Sequence, residues 1–372
     1  MLRILQVSTK PVVQMKKHQH HMFREILEEP SALRATIKAE ANVTRKIAQA
    51  VKSEGYEMFY ITGSGTSYHA GLASQYALLK LTNLSTSILP ASEFQRWVPL
   101  KTPKKVLLIA ISQSGESSDI IEAAEAAINR GMTLLAVTNT RGSRLAKMSN
   151  FQLLPRSGKE KAVPATKTYV TQLMSIFMFS VELARGNLNT DEYRRVRNEL
   201  FEVPRLLEQT LESLNSQIQK IAEKYKQKNV IFILGSGPNY ATALEAALKL
   251  KETCMVFAEG FATREFLHGP MRLVDERTLV IMLAAPDELD TDLELCRSLR
   301  SFGAPVVLVT EKDVSSASLF EATDDVILVP SGLHDVFSPL LYVVPIQLLA
   351  YYSSVLRGLN PDKPEKLTKV VR

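Results

Sequence analysis

Short apolar runs alternate with longer amphipathic stretches along most of this chain. Runs with the length and continuous hydrophobicity of buried parallel strands occur at residues 58–61, 106–111, 133–137, 230–234, 279–283 and 305–309. Stretches with helical periodicity follow most of them, at residues 68–81, 118–130, 143–149, 240–252 and 290–302. This alternation predicts an α/β protein in which crossover helices cover parallel sheets.

The same order of elements occurs twice, at a constant offset. Shifting the sequence by 172 positions aligns the GSG tripeptide at 63–65 with GSG at 235–237, and Tyr68 with Tyr240, without a gap. The same shift aligns the VT dipeptides at 137–138 and 309–310. We therefore predict two tandem doubly wound parallel-sheet domains, each a flavodoxin-like αβα sandwich.

The duplication divides the chain into five predicted segments. An N-terminal arm and helix, residues 1–45, precedes a first domain at 46–190. A polar helical linker at 191–225 leads to a second domain at 226–356, and residues 357–372 form a C-terminal tail.

Composition excludes several classes of function. The chain has 372 residues, 45% hydrophobic and 23% charged, as in soluble globular proteins. Its formal charge of +6 is not gathered into a basic run with interleaved aromatic residues, so we expect no nucleic-acid partner. Two cysteines without C-x-x-C spacing favour a reducing compartment and suggest neither a disulfide framework nor a bound metal.

Targeting and membrane signals are also weak. The first residues contain no apolar core of a signal peptide. The longest apolar stretch, residues 340–356, includes Pro345 and Gln347, which favours a buried helix over a membrane span. We expect a cytoplasmic protein without a membrane partner.

Two polar loops follow predicted strands of the first copy. Residues 63–67 read GSGTS and residues 112–117 read SQSGES, each directly before a predicted helix. Helix N-termini offer unpaired N–H groups and the positive end of a dipole, and serine hydroxyls add donors, so the pair suits a phosphate monoester. Tight turns and helix caps also favour Gly and Ser, but one cap does not need three hydroxyls.

The second copy carries a different kind of chemistry. Lys249 and Glu252 are three residues apart in a helix-forming run and therefore share a face, and His268 follows before a Gly-Pro break. An amine, a carboxylate and an imidazole can supply a charge, a base and an acid, which proton transfer beside a carbonyl requires. A K-x-x-E pair alone is more often a surface ion pair, so the functional interpretation depends on the rest of the chain.

The two loops, the segment EKAVPATKT at 160–168 and the block from Lys249 to His268 together resemble the sugar isomerase (SIS) domain family. More narrowly, they resemble the isomerase half of glucosamine-6-phosphate synthase and the SIS-type glucosamine-6-phosphate deaminases. The resemblance extends from about His21 to the C-terminus.

This resemblance implies a role for each matching residue. Glu252 would move a proton between C1 and C2 beside Lys249, the partner subunit of a homodimer would donate His268 for ring opening, and Lys369 in the tail would form an imine. The remaining implied substrate-binding residues are Gly65, Thr66, Ser67, Ser112, Gln113, Ser114, Ser117 and, through its backbone, Val163. The chemistry implies no cofactor.

Two departures from the synthase pattern affect the expected reaction. The sequence before His21 is too short for a glutaminase half, so we expect that glutamine is not the nitrogen source through this chain alone, although a separate glutaminase subunit remains open. The tail reads DKPEK at 362–366, where the synthase usually has Arg-Asn after proline.

The leading expectation is therefore an isomerising glucosamine-6-phosphate deaminase that forms fructose 6-phosphate and ammonia. The alternatives are synthesis of glucosamine 6-phosphate with ammonia and, third, plain aldose–ketose isomerisation of a phosphosugar. A sugar-phosphate sensor would need a DNA-binding helix-turn-helix, which the sequence does not indicate.

Overall fold

The computed structural model describes residues 20–102, 105–314 and 316–369. Two helices, α1 (His21–Leu27) and α2 (Glu29–Glu54), precede the first copy of the fold. The first copy consists of β1 (Met58–Gly63), α3 (Thr66–Thr82), β2 (Ser85–Pro90), α4 (Ala91–Trp97), β3 (Val106–Ile111), α5 (Ser118–Asn129), β4 (Thr133–Val137), α6 (Arg144–Met148), β5 (Phe151–Leu153) and α7 (Lys167–Ala184).

A long helix, α8 (Thr190–Tyr225), leads from the first copy to the second. The second copy consists of β6 (Val230–Gly235), α9 (Pro238–Cys254), β7 (Phe257–Ala262), β8 (Thr278–Leu283), α10 (Leu289–Ser301), β9 (Val306–Glu311), α11 (Ala317–Ala322), β10 (Asp325–Val329) and α12 (Pro339–Leu356). Two 3₁₀ turns, Glu265–His268 and Pro270–Leu273, lie between β7 and β8.

Both sheets are parallel and have the same strand order. The first is β2-β1-β3-β4-β5, and the second, read in the same sense, is β7-β6-β8-β9-β10. This is the doubly wound order of flavodoxin-like domains, so the prediction of two tandem copies is confirmed. The offset of 172 residues relates β1 to β6, α3 to α9, β3 to β8 and α7 to α12.

The strands predicted from the sequence are the interior strands of the two sheets. The sequence did not predict the four edge strands, β2, β5, β7 and β10. β3 and β4 have the predicted bounds, and all six residues of β3 are buried. In contrast, β2 and β7 each bury only one of their six residues fully, so they lack the continuous apolar run that marks a central strand. Short or half-exposed edge strands give little sequence signal.

The helices between and after the sheets join the two copies in one core. Every residue of α7 is buried, and α8 buries an apolar stripe that includes Leu200, Leu207 and Ile218. Apolar side chains from α2, α3, α7, α8, α9 and α12 form one continuous cluster with the second sheet. The segment predicted as a linker is thus also part of the core, and the predicted boundary at residue 46 falls inside α2.

One segment of the described chain, Asp335–Leu356, is long and apolar enough to cross a membrane by length and composition alone. Of its apolar window, 83% is buried inside the protein. It is the buried helix that Pro345 and Gln347 suggested, because α12 packs against α8 and α9.

In both copies a glycine lets a helix pack closely against an edge strand. The glycine belongs to the helix in the first copy and to the strand in the second. In the first, Gly71 of α3 faces Ile88 of β2; the equivalent pair in the second is Ala243 of α9 and Gly260 of β7. A Cβ at Gly260 would lie 2.6 Å from the backbone carbon of Ala243, whereas a Cβ at Gly71 would meet side-chain methyls, Ile61 Cγ2 at 2.7 Å and Ile88 Cδ1 at 2.9 Å.

We expect Gly260→Ala to destabilise the protein more than Gly71→Ala. Overpacking against backbone typically costs about 1–3 kcal/mol, whereas the methyls of Ile61 and Ile88 yield more readily than backbone, and alanine gains about 1 kcal/mol over glycine inside a helix. Urea unfolding of both variants measures the difference. A loss for Gly260→Ala that is equal to or below that for Gly71→Ala would contradict this account of the packing.

Candidate active site

A cavity of about 310 Å³ opens at the carboxyl edge of the first sheet. It lies where the strand order reverses between β1 and β3, the position at which doubly wound folds bind ligands. All predicted site residues except Lys249 and His268 line it: Gly65, Thr66, Ser67, Ser112, Gln113, Ser114, Ser117, Val163, Glu252 and Lys369. Residues from both copies and from the tail therefore meet at one place.

The serine-rich loop presents hydroxyls at the start of α5. Ser112 Oγ accepts from Gly115 N at 3.1 Å and Ser114 Oγ accepts from Glu116 N at 3.2 Å. A hydroxyl that accepts one bond still has its own hydrogen to donate. Ser117 is the N-cap residue of α5, yet its side chain makes no capping bond. The loop therefore offers donors beyond what helix capping uses, as anion binding requires.

The second copy lacks such a loop at the equivalent place. β8 is followed by Ala284-Ala285 and the acidic Asp287. Nearby, burial and the charge of Glu288 raise the pKa of Asp292 to about 7. Acidic side chains disfavour anions, so among the described residues the serine loop of the first copy is better suited to a phosphate than this crevice.

Glu252 reaches the cavity from α9 and is paired with a fully buried lysine. Lys249 Nζ lies 2.6 Å from Glu252 Oε2 and 3.3 Å from Glu245 Oε1. Burial alone would lower the pKa of Lys249, but the charges of Glu245 and Glu252 outweigh it and raise that pKa. The surface ion pair that K-x-x-E usually indicates is excluded, because Lys249 is 0% exposed.

Glu245 was missed by the sequence interpretation, although it lies one turn before Lys249 on the same face. Its carboxylate accepts from Thr66 Oγ1 at 3.0 Å and lies 2.7 Å from His69 Nδ1. Thr66 Oγ1 also accepts from Lys249 Nζ at 3.2 Å. Thr66 and His69 belong to the first copy, so this ionic network crosses the contact between α3 and α9.

Lys369 is docked against the loop at 160–165. Its Nζ lies 2.8 Å from Glu160 Oε2 and donates to the carbonyl of Ala162 at 2.7 Å. Burial favours the neutral form of Glu160, but the Lys369 ammonium and the amide of Thr166 hold the pKa of that carboxyl below its usual value. Glu160, which also lines the cavity, is a second residue that sequence reasoning did not single out.

Asp362 explains why the tail lies over the cavity. Its carboxylate accepts from the backbone N–H groups of His21 and Met22, both at 2.8 Å, at the start of α1. Its carbonyl accepts from Val163 N at 2.9 Å. Asp362 is thus an anchor between the tail, α1 and the cavity loop.

His268 lies away from the cavity of its own chain. It is exposed at the end of the 3₁₀ turn Glu265–His268 and does not line the cavity. Leu267 and Leu273 beside it are 46% and 64% exposed. In the described part of the chain, no group of three or more His, Cys, Asp or Glu side chains is placed to hold a metal ion.

The fold and this site define a recognisable class of protein. The sequence profile of the SIS domain matches residues 57–181 and 224–357, which are the two copies. The chain belongs to the SIS domain family.

Its named relatives are enzymes. It is 34% identical over 363 residues to a glutamine–fructose-6-phosphate aminotransferase (isomerizing) of Clostridium tetani, covering 95% of this chain and 59% of the relative. The corresponding protein of Methanothermobacter thermautotrophicus is 38% identical over 355 residues, covering 95% and 58%. The chain thus spans about three fifths of the length of these relatives.

Two solved structures are similar over nearly their whole length. The C-terminal domain of the glucosamine-fructose-6-phosphate aminotransferase of Francisella tularensis has a TM-score of 0.85 at 27% identity, covering 93% of this chain and 99% of that one. A glucosamine-6-phosphate deaminase of Thermotoga maritima has a TM-score of 0.75 at 25% identity, covering 94% and 99%. These likenesses place the chain among enzymes rather than among sensors.

Proposed function

We propose that this chain converts fructose 6-phosphate and ammonia into glucosamine 6-phosphate and water, as the isomerase part of a glucosamine-6-phosphate synthase. One observation carries the proposal: a single cavity is lined by the serine-rich loop, Glu252 and Lys369. The aminotransferase relatives favour this direction over deamination, the leading expectation from sequence.

The first copy would bind the phosphate. The serine loop and the N-termini of α3 and α5 supply neutral donors and the positive ends of helix dipoles, which suit a phosphate group. A cavity of about 310 Å³ lies at the small end of the usual range for ligand sites and suits one sugar phosphate.

Glu252 would move the proton between the carbon atoms. Glu252 lines the same cavity as the serine loop, and Lys249 orients its carboxylate through the contact of 2.6 Å. Removing a proton from C1 of the open-chain sugar imine and returning it to C2 turns the ketose skeleton into an aldose skeleton. A positioned carboxylate is sufficient for this transfer.

Lys369 would activate the keto carbon. As an ammonium paired with Glu160 Oε2 at 2.8 Å it is not a nucleophile, so it must first lose a proton to water. The neutral amine can then attack C2, with loss of water, to form an imine. Ammonia displaces the lysine from this imine and remains as the substrate nitrogen.

The nitrogen would come from free ammonia or from a separate glutaminase subunit. We also propose that the protein is cytoplasmic.

A second candidate function is the reverse reaction, the deamination of glucosamine 6-phosphate. It is supported by the likeness to the Thermotoga maritima deaminase, whose TM-score is 0.75.

Assays in both directions test the reaction. We expect glucosamine 6-phosphate from fructose 6-phosphate plus ammonium, with a smaller rate of ammonia release in reverse. Glu252→Gln should lower kcat by about 10²–10⁴-fold while substrate binding stays intact, because the amide cannot accept the proton. The double variant Ser112→Ala, Ser114→Ala should instead raise KM, because it removes phosphate donors.

The outcomes separate the alternatives. Conversion of fructose 6-phosphate into glucose 6-phosphate without nitrogen would support plain isomerisation, and ammonia release with no measurable synthesis would support the deaminase. If Glu252→Gln retained more than about a tenth of the activity, Glu252 would not be the base that moves the proton.

Trapping tests the role of Lys369. Borohydride added with fructose 6-phosphate should reduce the imine to a stable secondary amine on Lys369, located by peptide mass spectrometry. Lys369→Arg is the matched control, because arginine keeps the charge beside Glu160 but is not a nucleophile at neutral pH. An adduct on Lys249, or an undiminished adduct in Lys369→Arg, would overturn this assignment.

We also propose a homodimer in which each site receives His268 from the partner subunit. The exposed position of His268 between the exposed Leu267 and Leu273 supports an interface there.

Mixing inactive Glu252→Gln and His268→Ala subunits should restore activity, because one site of each heterodimer regains both groups. Random exchange should give roughly a quarter of wild-type activity. The control is Glu252→Gln mixed with the double variant Glu252→Gln, His268→Ala, which should remain inactive. Absence of recovery after verified subunit exchange would place His268 outside the site.

A further inference from the structure

The ionic network behind Glu252 ends at a histidine of the first copy. His69 Nδ1 lies 2.7 Å from Glu245 Oε2, and the two side chains are 14% and 0% exposed. His69 does not line the cavity, but two contacts connect it with the proposed base: Glu245 to Lys249 at 3.3 Å, and Lys249 to Glu252 at 2.6 Å.

The fold itself does not require this network. At the offset of 172 residues, the equivalents of Glu245, Lys249 and His69 are Ala73, Ala77 and Ala241, all fully buried in the same kind of packing. Alanine would thus satisfy the contact between α3 and α9. Buried charges are costly unless they are paired, so their presence on only one side points to a role in the reaction.

Glu245 needs hydrogen-bond donors to hold its carboxylate in place, so that it can share the ammonium group of Lys249 with Glu252. Thr66 bonds one of its oxygens and His69 the other, and bonds to the ionised form keep a buried carboxylate charged and oriented. If Glu245 loses a donor, its hold on Lys249 weakens. Lys249 then depends on Glu252 and Thr66, and the carboxylate of Glu252 is no longer held in the orientation that the shared contact gives it.

We propose that His69 is a positioning residue for the proton-transfer step, because its bond to Glu245 keeps Glu245 sharing the Lys249 ammonium and so keeps Glu252 oriented. The proposal rests on the proposed function and assigns His69 no contact with substrate. It predicts that the N–H donor at Nδ1 of His69 is needed for a normal kcat, whereas substrate binding does not depend on this donor.

Three variants test it in the full-length protein. His69→Ala should lower kcat by at least about tenfold with KM within about threefold of wild type, because orientation of the base is lost while the phosphate loop is intact. His69→Asn places an amide N–H near the Nδ1 position and should return most of kcat. His334→Ala is the matched control: His334 also contacts a carboxylate, that of Asp335, has a side chain 17% exposed, and does not line the cavity.

Two further readouts separate positioning from folding. Exchange of the substrate carbon-bound hydrogen in D₂O, followed by NMR, should slow in His69→Ala as much as kcat does. Borohydride trapping on Lys369 should proceed as in wild type, because imine formation precedes the step at Glu252.

The possible outcomes test the role of His69 and the proposed function separately. Wild-type kcat in His69→Ala, an equal loss in His69→Asn, or a parallel loss of trapping would overturn the role of His69 while leaving the proposed function in place. A wild-type protein that neither converts nor exchanges phosphosugars would overturn both.

Discussion

The structure depends on a lysine ammonium buried at the contact between two copies of one fold. Lys249 is fully buried, and a charge removed from water is tolerated only beside compensating groups. Two carboxylates on the same helix, Glu245 and Glu252, and the hydroxyl of Thr66 from the other copy provide them. The proposed base is therefore oriented by an arrangement that neither copy could form alone.

A second buried ion pair links the tail to the cavity. Glu160 is buried with one oxygen on Lys369 and the other on the amides of Thr166 and Thr168. The loop that carries Glu160 is in turn bonded to Asp362 and, through its amides, to Glu25 of α1. The N-terminal helix, the loop and the tail are thus mutually dependent, although they are far apart in sequence.

Duplication allowed the two copies to specialise. The first has hydroxyls and helix N-termini at its strand switch point, whereas the second has Ala284, Ala285 and acidic residues there. The second instead carries charges on α9 where the first has alanines on α3. One copy can therefore bind an anion while the other supplies the groups for proton transfer, and the cavity lies where the two meet.

The sequence by itself determined the fold class, the two copies and most of the cavity lining. Interior strands such as β3 and β4 could be predicted because residues buried on both faces leave an uninterrupted apolar run. The edge strands β2 and β7 could not, because their half-exposed residues carry no such pattern. Lys249 and Glu252 could be paired because their spacing places them on one helix face.

Only the tertiary structure decided what those groups face. No sequence spacing relates His69 to Glu245 or Lys369 to Glu160, since each pair joins segments separated by more than 170 positions. Likewise, nothing in the sequence marked Asp362 as an anchor of the tail, because that role depends on α1 lying beside it. Local periodicity reports which face of an element is buried, whereas pairing between distant charges is set by how the elements pack.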